Sequence, residues 1–362
     1  MKKNIVALAV ASAIAAPVAM ADAPTVYGKL NMAVEQFSVD QANGDKDKTA
    51  SGTKINSIAS RMGIKGSSDL GNGLKAVYKV EFGLAPDGNG KNSSNSDALT
   101  NRNQYLGLAG GFGTVLLGRH DTPLKMSQPK DFFNDGTADF KKMTGEMGAM
   151  NASGEIRASN VLAYVSPSFG GVKLVAALSP QEDGTNSNTD DESQITDFYS
   201  VAAMYGSKKE GLYLAAAMDK ASDAYVGDRA DGADQDATHV RVSAQYAMGG
   251  LIANAMYQDF SGDALSADNT NGNEGNTLTG GVAYKIGKFM PKLAVTQVNR
   301  DKADDGTKYE DSLNWAAGVN YSLGKKTTAY FDYSKIEHKG SNDFEDSKAE
   351  ETAFSVGMIH KF

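Results

Sequence analysis

The chain has 362 residues, with 36 basic and 44 acidic side chains and a formal net charge of −8. This acidic balance argues against a nucleic-acid partner, which would require a basic surface. Cysteine is absent, which excludes a disulfide framework, thiolate catalysis and thiolate metal sites.

The N-terminal segment, residues 1–21, has the pattern of a secretory signal peptide. Two lysines follow the first methionine, residues 5–16 form an apolar run, and residues 19–21 read Ala-Met-Ala, a small-x-small cleavage site. The apolar run is shorter than the roughly 20 residues that a membrane-spanning helix needs. We therefore predict an exported protein whose single domain comprises residues 22–362.

After this segment, sixteen stretches of about ten residues alternate apolar and polar side chains. Alternation with period two predicts β-strands that have one apolar and one polar face. A tilted strand of about ten residues is long enough to cross a lipid bilayer. The clearest stretches are residues 239–246, 278–286, 313–323 and 352–362.

The last stretch places Phe354, Val356, Met358 and Phe362 on one face, with Ile359 as the single exception. A strand that carries this pattern to a terminal aromatic residue favours a closed barrel in a bacterial outer membrane. We expect Phe362 to be the assembly signal that the barrel-assembly machinery recognises.

The connections alternate between short turns, such as residues 248–250, and long polar loops, such as residues 220–236. This asymmetry is expected of an outer-membrane barrel, whereas a soluble β-sandwich has strands of about 5–6 residues. Lipid offers the backbone no hydrogen-bond partners, so the sheet must close, and sixteen strands leave a lumen too wide for side chains to fill. We predict an all-β fold, a sixteen-stranded antiparallel transmembrane β-barrel filled with water.

One connection, residues 120–158, is much longer than the others and contains Phe132, Phe133 and Phe140. Apolar side chains in such a loop should pack on a surface, and the concave inner wall of the barrel is the nearest one. We therefore expect the loop to fold inward and to narrow the channel.

Acidic residues of this loop are candidates to face basic residues of the wall. Opposite charges across a narrow gap would produce a transverse field that orders water and orients dipolar solutes. The alternative is that the acids are ordinary solvated loop residues. The candidate acids are Asp131, Asp135, Asp139 and Glu146. On the wall, Lys29, Arg61 and Lys79 have the same parity as polar neighbours, meaning that they lie on the same face of their strands, and this face should point inward.

Several motifs together resemble the trimeric general porins of Gram-negative bacteria, specifically the proteobacterial sixteen-stranded branch. The likeness covers essentially the whole chain after the signal peptide. The motifs are Tyr27-Gly28-Lys29-Leu30, residues 60–66 (SRMGIKG), residues 69–76 (DLGNGLKA), Tyr105-Leu106-Gly107-Leu108, residues 112–119 (FGTVLLGR), residues 160–164 (NVLAY) and the terminal Phe362.

The resemblance implies a homotrimer of water-filled pores, each with its third loop folded into the barrel. It also implies a basic wall at the constriction, in which Arg61, Arg102 and Arg157 match the arginines of the family and Lys29 occupies a first-strand basic position. The Pro-Glu-Phe-Gly segment common in many relatives is missing, and residues 132–136 (FFNDG) stand nearby instead. Which acids oppose the arginines is therefore left open.

Other sites have little support in the sequence. The four histidines, His120, His239, His338 and His360, lack metal-ligand spacing. A Ser/His/acid hydrolase site needs a base within reach of the serine, and His239 at a strand mouth is the mild candidate. The acidic outer loops are either solvated or bridged by divalent cations to the phosphates of lipopolysaccharide.

We therefore expect an outer-membrane porin that lets ions and small hydrophilic solutes diffuse passively, without catalysis, cofactor or metal. Two alternatives remain open, a substrate-specific outer-membrane channel and a non-conducting barrel acting as an enzyme or adhesin. Ion preference is also open, because acidic mouths favour cations whereas an arginine cluster favours anions.

Overall fold

The computed structural model describes residues 23–41, 50–88, 99–144, 154–180, 194–222, 236–262, 274–301, 311–338 and 349–362. The predicted signal peptide and most of each long polar loop lie outside these residues, as does Glu146. Neither of the two helices in the described part of the chain is long and apolar enough to cross a membrane.

Seventeen β-segments in the described residues form one sheet, and their ladders are antiparallel. The first eight are β1 Thr25–Gln41, β2 Ala50–Ser57, β3 Ser60–Gly71, β4 Leu74–Leu84, β5 Leu99–Gly110, β6 Gly113–Asp121, β7 Arg157–Val165 and β8 Val172–Ser179. The others are β9 Phe198–Gly206, β10 Gly211–Ala221, β11 Ala237–Met248, β12 Leu251–Ser261, β13 Gly275–Tyr284, β14 Phe289–Arg300, β15 Ser312–Ser322, β16 Thr327–His338 and β17 Ala349–Lys361. The two short helices, α1 Pro123–Ser127 and α2 Phe140–Met143, both follow β6.

Strands β2 and β3 are two halves of one wall strand. Both pair with β1, β2 along its second half and β3 along residues 25–29. The interruption falls at Ile58 and Ala59, where Ala59 has a φ of 46°. Counted by wall strands, the barrel therefore has the sixteen that the sequence predicts.

The barrel closes between its first and last strands. Strand β17 pairs with β1 from Lys361 opposite Lys29 to Ala349 opposite Gln41. The amide of Gly28 donates to the carbonyl of Phe362 (N···O 3.2 Å), and the amide of Phe362 donates to the carbonyl of Gly28 (3.1 Å). A side chain at position 28 would collide with the Phe362 ring, so glycine at this position lets the last residue complete the ring.

The alternation of side chains seen in the sequence separates two faces of the sheet. In β11, Val240, Val242 and Tyr246 are exposed on the outer face, whereas His239 and Arg241 are buried on the inner face. The same outer exposure occurs in β17, at Phe354, Val356 and Met358. An apolar outer band is the surface that lipid covers in outer-membrane barrels. The predicted all-β antiparallel barrel is confirmed.

Candidate functional site

The segment between β6 and β7 begins with α1, which is held against the polar face of β9 and β10. Thr122 caps the helix, accepting from the Lys125 amide (N···Oγ1 3.2 Å), and Pro123 occupies the first turn. The amide of Leu124 donates to Ser200 Oγ at 3.1 Å. The Leu124 side chain is buried against alanines of both strands.

Arg241 on β11 ties both ends of this segment to the wall. Its side chain is fully buried, with Nη1 2.7 Å from Glu155 Oε1 and 3.0 Å from the carbonyl oxygen of Leu124. Its Nε donates to Gln258 at 2.8 Å. Burial raises the pKa of the Glu155 carboxyl, and the charge of Arg241 opposes that rise.

Further contacts continue along β11 to β16, and we call β9–β16 the loop-bearing wall. The amide of Lys130 donates to Gln245 Oε1 (2.8 Å), and its carbonyl accepts from Asn254 Nδ2 (2.7 Å). The carbonyl of Phe132 accepts from Lys292 Nζ (3.0 Å). These are inner-face side chains, so the described part of the segment lies on the inner face of the sheet.

Two of the candidate acids bind amides within residues 131–141, a part of the segment that we call the loop turn. The Asp131 carboxylate accepts from the amides of Phe133 (2.8 Å) and Phe140 (2.9 Å). The Asp139 carboxylate accepts from the amides of Asp135 (2.6 Å) and Lys141 (2.9 Å). Burial raises the pKa of both carboxyls, and the Asp139 carboxylate further raises that of Asp131. The structure thus gives them backbone partners in the loop, where the sequence suggested partners on the basic wall.

Of the candidate acids that the structure describes, Asp135 reaches the basic wall. Its Oδ2 lies 2.8 Å from Lys29 Nζ on β1 and 3.8 Å from Arg61 Nη1 on β3. Its φ of 68° is left-handed, a conformation that aspartate tolerates better than most residues. Three of the predicted site residues therefore meet at this point.

The other basic candidates are paired with wall acids that we did not single out from the sequence. Glu81 on β4 lies 2.8 Å from Arg102 Nε and 3.3 Å from Lys79 Nζ, and it accepts from the Tyr27 hydroxyl (2.8 Å). Glu81 lies two residues after Lys79 on the same strand, so the alternation that predicts an inward-facing lysine also predicts an inward-facing glutamate.

Arg157 pairs with Asp121, the last residue of β6. Its Nη2 lies 2.9 Å from Asp121 Oδ1, and its Nε donates to Asn103 Oδ1. Lys125 of α1 approaches the same carboxylate, with 3.8 Å between Nζ and Oδ1. Asp121 falls within the segment 120–158, but nothing in its sequence context distinguishes it from the other acids of that segment.

Two adjoining water-accessible spaces lie among these charges, with volumes of about 400 and 340 Å³. Arg61, Arg102 and Asp121 line both. Among the described residues, nine basic and five acidic side chains line the two spaces together. The basic ones are Lys29, Arg61, Lys79, Arg102, Lys125, Lys141, Lys142, Arg157 and Lys361, and the acidic ones are Glu81, Asp121, Asp135, Asp139 and Glu155.

Asp131 lines a different space, a narrow crevice between the loop turn and the loop-bearing wall. No cluster of potential metal ligands occurs among the described residues. His120 contacts the carbonyl of Asp121 through Nδ1 (2.7 Å), and His360 contacts Thr327 Oγ1 through Nδ1 (2.9 Å). His239 is fully buried under the segment that contains Gly154.

Comparison with known proteins agrees with this architecture. A family model described as Gram-negative porin matches residues 7–341. Major outer membrane protein P.IB of Neisseria gonorrhoeae is 28% identical over 382 residues, and its counterpart in Neisseria lactamica is 27% identical over 369. Both alignments cover 100% of each chain.

Solved structures share the fold at lower sequence identity. An anion-selective porin from Comamonas acidovorans has a TM-score of 0.71 at 21% identity, covering 94% of this chain and 100% of that one. The trimer form of OmpT from Vibrio cholerae has a TM-score of 0.65 at 18% identity, covering 95% and 100%. Because the family model matches nearly the whole chain, the chain belongs to the Gram-negative porin family, the channel-forming barrels of the bacterial outer membrane.

Proposed function

We propose that this porin lets ions and small hydrophilic solutes diffuse passively across the outer membrane and that it favours anions. The observation that carries the preference is that, among the described residues, nine basic and five acidic side chains line the two water-accessible spaces. Charges that line a water-filled passage with low-dielectric walls raise the local concentration of ions of opposite sign.

The loop turn is the proposed constriction. Helix α1 rests on β9 and β10, whereas Asp135 reaches β1 and β3. Following the strand ladders in both directions from β1, through β3 to β9 and through β17 to β11, β10 lies half-way round the ring. A segment that contacts both from the inner face must cross the lumen, which supports an inward-folded third loop. Asp135, in contact with Lys29 and close to Arg61, would then lie with them at the edge of the narrowest passage.

The pattern of burial supports a channel over a hydrolase. Ser200, Asp219 and His239 lie in register on β9, β10 and β11, and they offer the hydroxyl, acid and base that a hydrolase needs. All three are fully buried beneath the loop. A catalytic serine must reach its substrate, and these side chains do not face the lumen water.

We further propose that the protein assembles as a homotrimer, as the trimer form of OmpT does. Outer-membrane lipid and lipopolysaccharide would surround it, with divalent cations bridging acidic loops to lipid phosphates. Phe362 would be the signal for the barrel-assembly machinery. Its main-chain bonds to Gly28 support a role in closing the barrel.

The experiment is single-channel recording of the purified protein in planar bilayers under a KCl gradient. We expect discrete conductance steps and a reversal potential of the sign that results when chloride carries most of the current. The anion preference should grow as the salt concentration falls, because screening weakens. A reversal potential of the opposite sign would contradict the preference, and absence of conductance would contradict the channel itself. Saturable single-solute transport would favour the substrate-specific alternative.

A further inference from the structure

The loop-bearing wall has an apolar contact surface for the loop turn, which we call the seat. Phe132 and Phe133, neighbours in the turn, are both buried in one cluster with inner-face side chains that are mostly alanines. The wall residues of that cluster are Ala283 on β13, Ala294 on β14, Ala316 on β15 and Ile336 on β16. Four adjacent strands therefore receive two aromatic rings of one turn.

A buried lysine lies at the centre of this seat. Lys292 Nζ lies 2.8 Å from Asp332 Oδ1 and 3.0 Å from Asp332 Oδ2, and it donates to the carbonyl oxygen of Phe132 at 3.0 Å. The ammonium also lies 4.3 Å from the centroid of the Phe133 ring. The Lys292 side chain is only 3% exposed, so its charge is used inside the wall and not in the water of the lumen.

Gly318 makes this ion pair possible. Lys292 and Asp332 are on β14 and β16, and Gly318 lies between them in register on β15. A Cβ at position 318 would collide with Asp332 Oδ1, and it would lie 3.0 Å from Lys292 Cε. The two charged side chains therefore meet over a residue that has no side chain.

Gly281 is a second position in the seat at which the lack of a side chain matters. A Cβ there would lie 2.9 Å from Cε2 of the Phe132 ring, so the ring rests directly on the glycine backbone. Its neighbour Gly280 differs, because a Cβ at that position would have only the Asn254 carbonyl oxygen near it, at 4.0 Å. Adjacent glycines of one strand thus provide a test position and a matched control.

The turn transmits its position to the lumen because it is internally braced. Asp131 and Asp139 bind amides on both sides of Asp135, and the amide of Gly136 donates to the carbonyl of Phe133 at 2.8 Å. Displacing the Phe132–Phe133 end of the turn should therefore displace Asp135 with it.

We infer that Lys292 is a positioning residue: by joining the Phe132 carbonyl to Asp332 over Gly318, it fixes the turn and so sets how far Asp135 reaches toward Lys29 and Arg61. The link to conduction rests on the proposed function. The mechanical part does not, since it concerns only the attachment of the loop to the wall.

The test uses three variants. Two are expected to loosen the loop: Gly318→Ala, and a double variant that combines Lys292→Met and Asp332→Asn. The third, Gly280→Ala, is the control. The chain lacks cysteine, so Lys142→Cys, at an exposed position on α2, can carry a single spin label in every background. The electron paramagnetic resonance spectrum then reports the mobility of the loop. We expect narrower lines, meaning a more mobile label, in the first two backgrounds and an unchanged spectrum in Gly280→Ala.

The same substitutions without the label are recorded in planar bilayers. We expect higher single-channel conductance and more open-state noise for Gly318→Ala and the Lys292 double variant, with Gly280→Ala matching the unsubstituted protein. Heat-modifiable migration on denaturing gels checks that the folded fraction is unchanged. If Gly318→Ala does not fold, Gly281→Ala, which displaces the Phe132 ring, takes its place.

An unchanged label spectrum in both test backgrounds would overturn the attachment. A mobile label with unchanged conductance would overturn the link between this attachment and the constriction. Failure of the unsubstituted protein to conduct would instead count against the proposed function, so the two failures are distinguishable.

Discussion

The lumen has two unlike walls, and both use basic residues. On the charged wall, β1 and β3–β7, Arg61 pairs with Asp135 at 3.8 Å and its side chain remains 25% exposed. On the loop-bearing wall, Arg241 and Lys292 are almost completely buried and bind loop carbonyl oxygens. On the proposed function, the partly exposed charges would act on solutes, whereas the buried charges hold the loop against the wall.

This difference separates two kinds of mutational effect. Partly exposed ion pairs contribute little to stability, about 0–1 kcal/mol, but their field extends into the passage. Breaking a buried pair is costly, because the remaining charge has no solvent. Substitutions on the charged wall should mainly change selectivity, and those on the loop-bearing wall should mainly change stability and loop position.

The largest expected effect is that of Arg241→Met. It removes the buried ion pair with Glu155 and the donor to the Leu124 carbonyl, so we expect a loss of about 3–5 kcal/mol in the free energy of unfolding. Urea unfolding in detergent, followed by the fluorescence of the single tryptophan, Trp315, measures it. Adding Glu155→Gln should restore part of the loss. A loss no larger than that of Arg61→Ala would erase the distinction between the walls.

A matched pair on the charged wall should shift selectivity in opposite directions. Arg61→Ala removes a basic side chain beside Asp135, so conductance should rise and the reversal potential should move toward cations. Glu81→Gln removes the acid that pairs with Arg102 and Lys79, so the reversal potential should move toward anions. Both are measured under the same salt gradient. Shifts of equal sign, or an unchanged reversal potential for Arg61→Ala, would remove these residues from the constriction.

The smallest effect concerns Lys208, in the turn between β9 and β10. Its Nζ donates to the Met126 carbonyl at 2.8 Å, and burial lowers its pKa to about 8. The unfolded chain holds this proton up to about pH 10.5, so stability should increase as the pH rises between these values. Nuclear magnetic resonance of isotopically dimethylated lysines, assigned with Lys208→Arg, should give a midpoint near pH 8. A midpoint at the unfolded value would place the ammonium in water.

The sequence predicted the charged wall better than the loop-bearing wall. Lys29 and Arg61 could be placed inside because parity along a strand is a local property. Glu81 has the same parity and could have been found in the same way. Lys292 could not, because its role depends on the Phe132 carbonyl, 160 residues away in the chain. Parity gives the face of a side chain but not its partner.

The loop acids show the same limit. From the sequence, all four are candidates to face basic residues, since their charge and their place in the long segment are alike. In the structure Asp135 does so, whereas Asp131 and Asp139 accept hydrogen bonds from loop amides. Backbone amides compete for short acidic side chains, and which acid reaches the wall depends on the path of the turn. Glu146 lies outside the described residues.

The main-chain pairing of Gly28 with Phe362, which closes the barrel, has a consequence for biogenesis. The two residues that complete the ring are almost the full chain length apart, so their pairing has a greater loop-closure cost than pairing between strands that follow each other in the chain. Until the final residue has been delivered, β1 presents an open edge that could template pairing with other chains. The edge of β1 is therefore the part of the unclosed sheet most exposed to mispairing until β17 pairs with it.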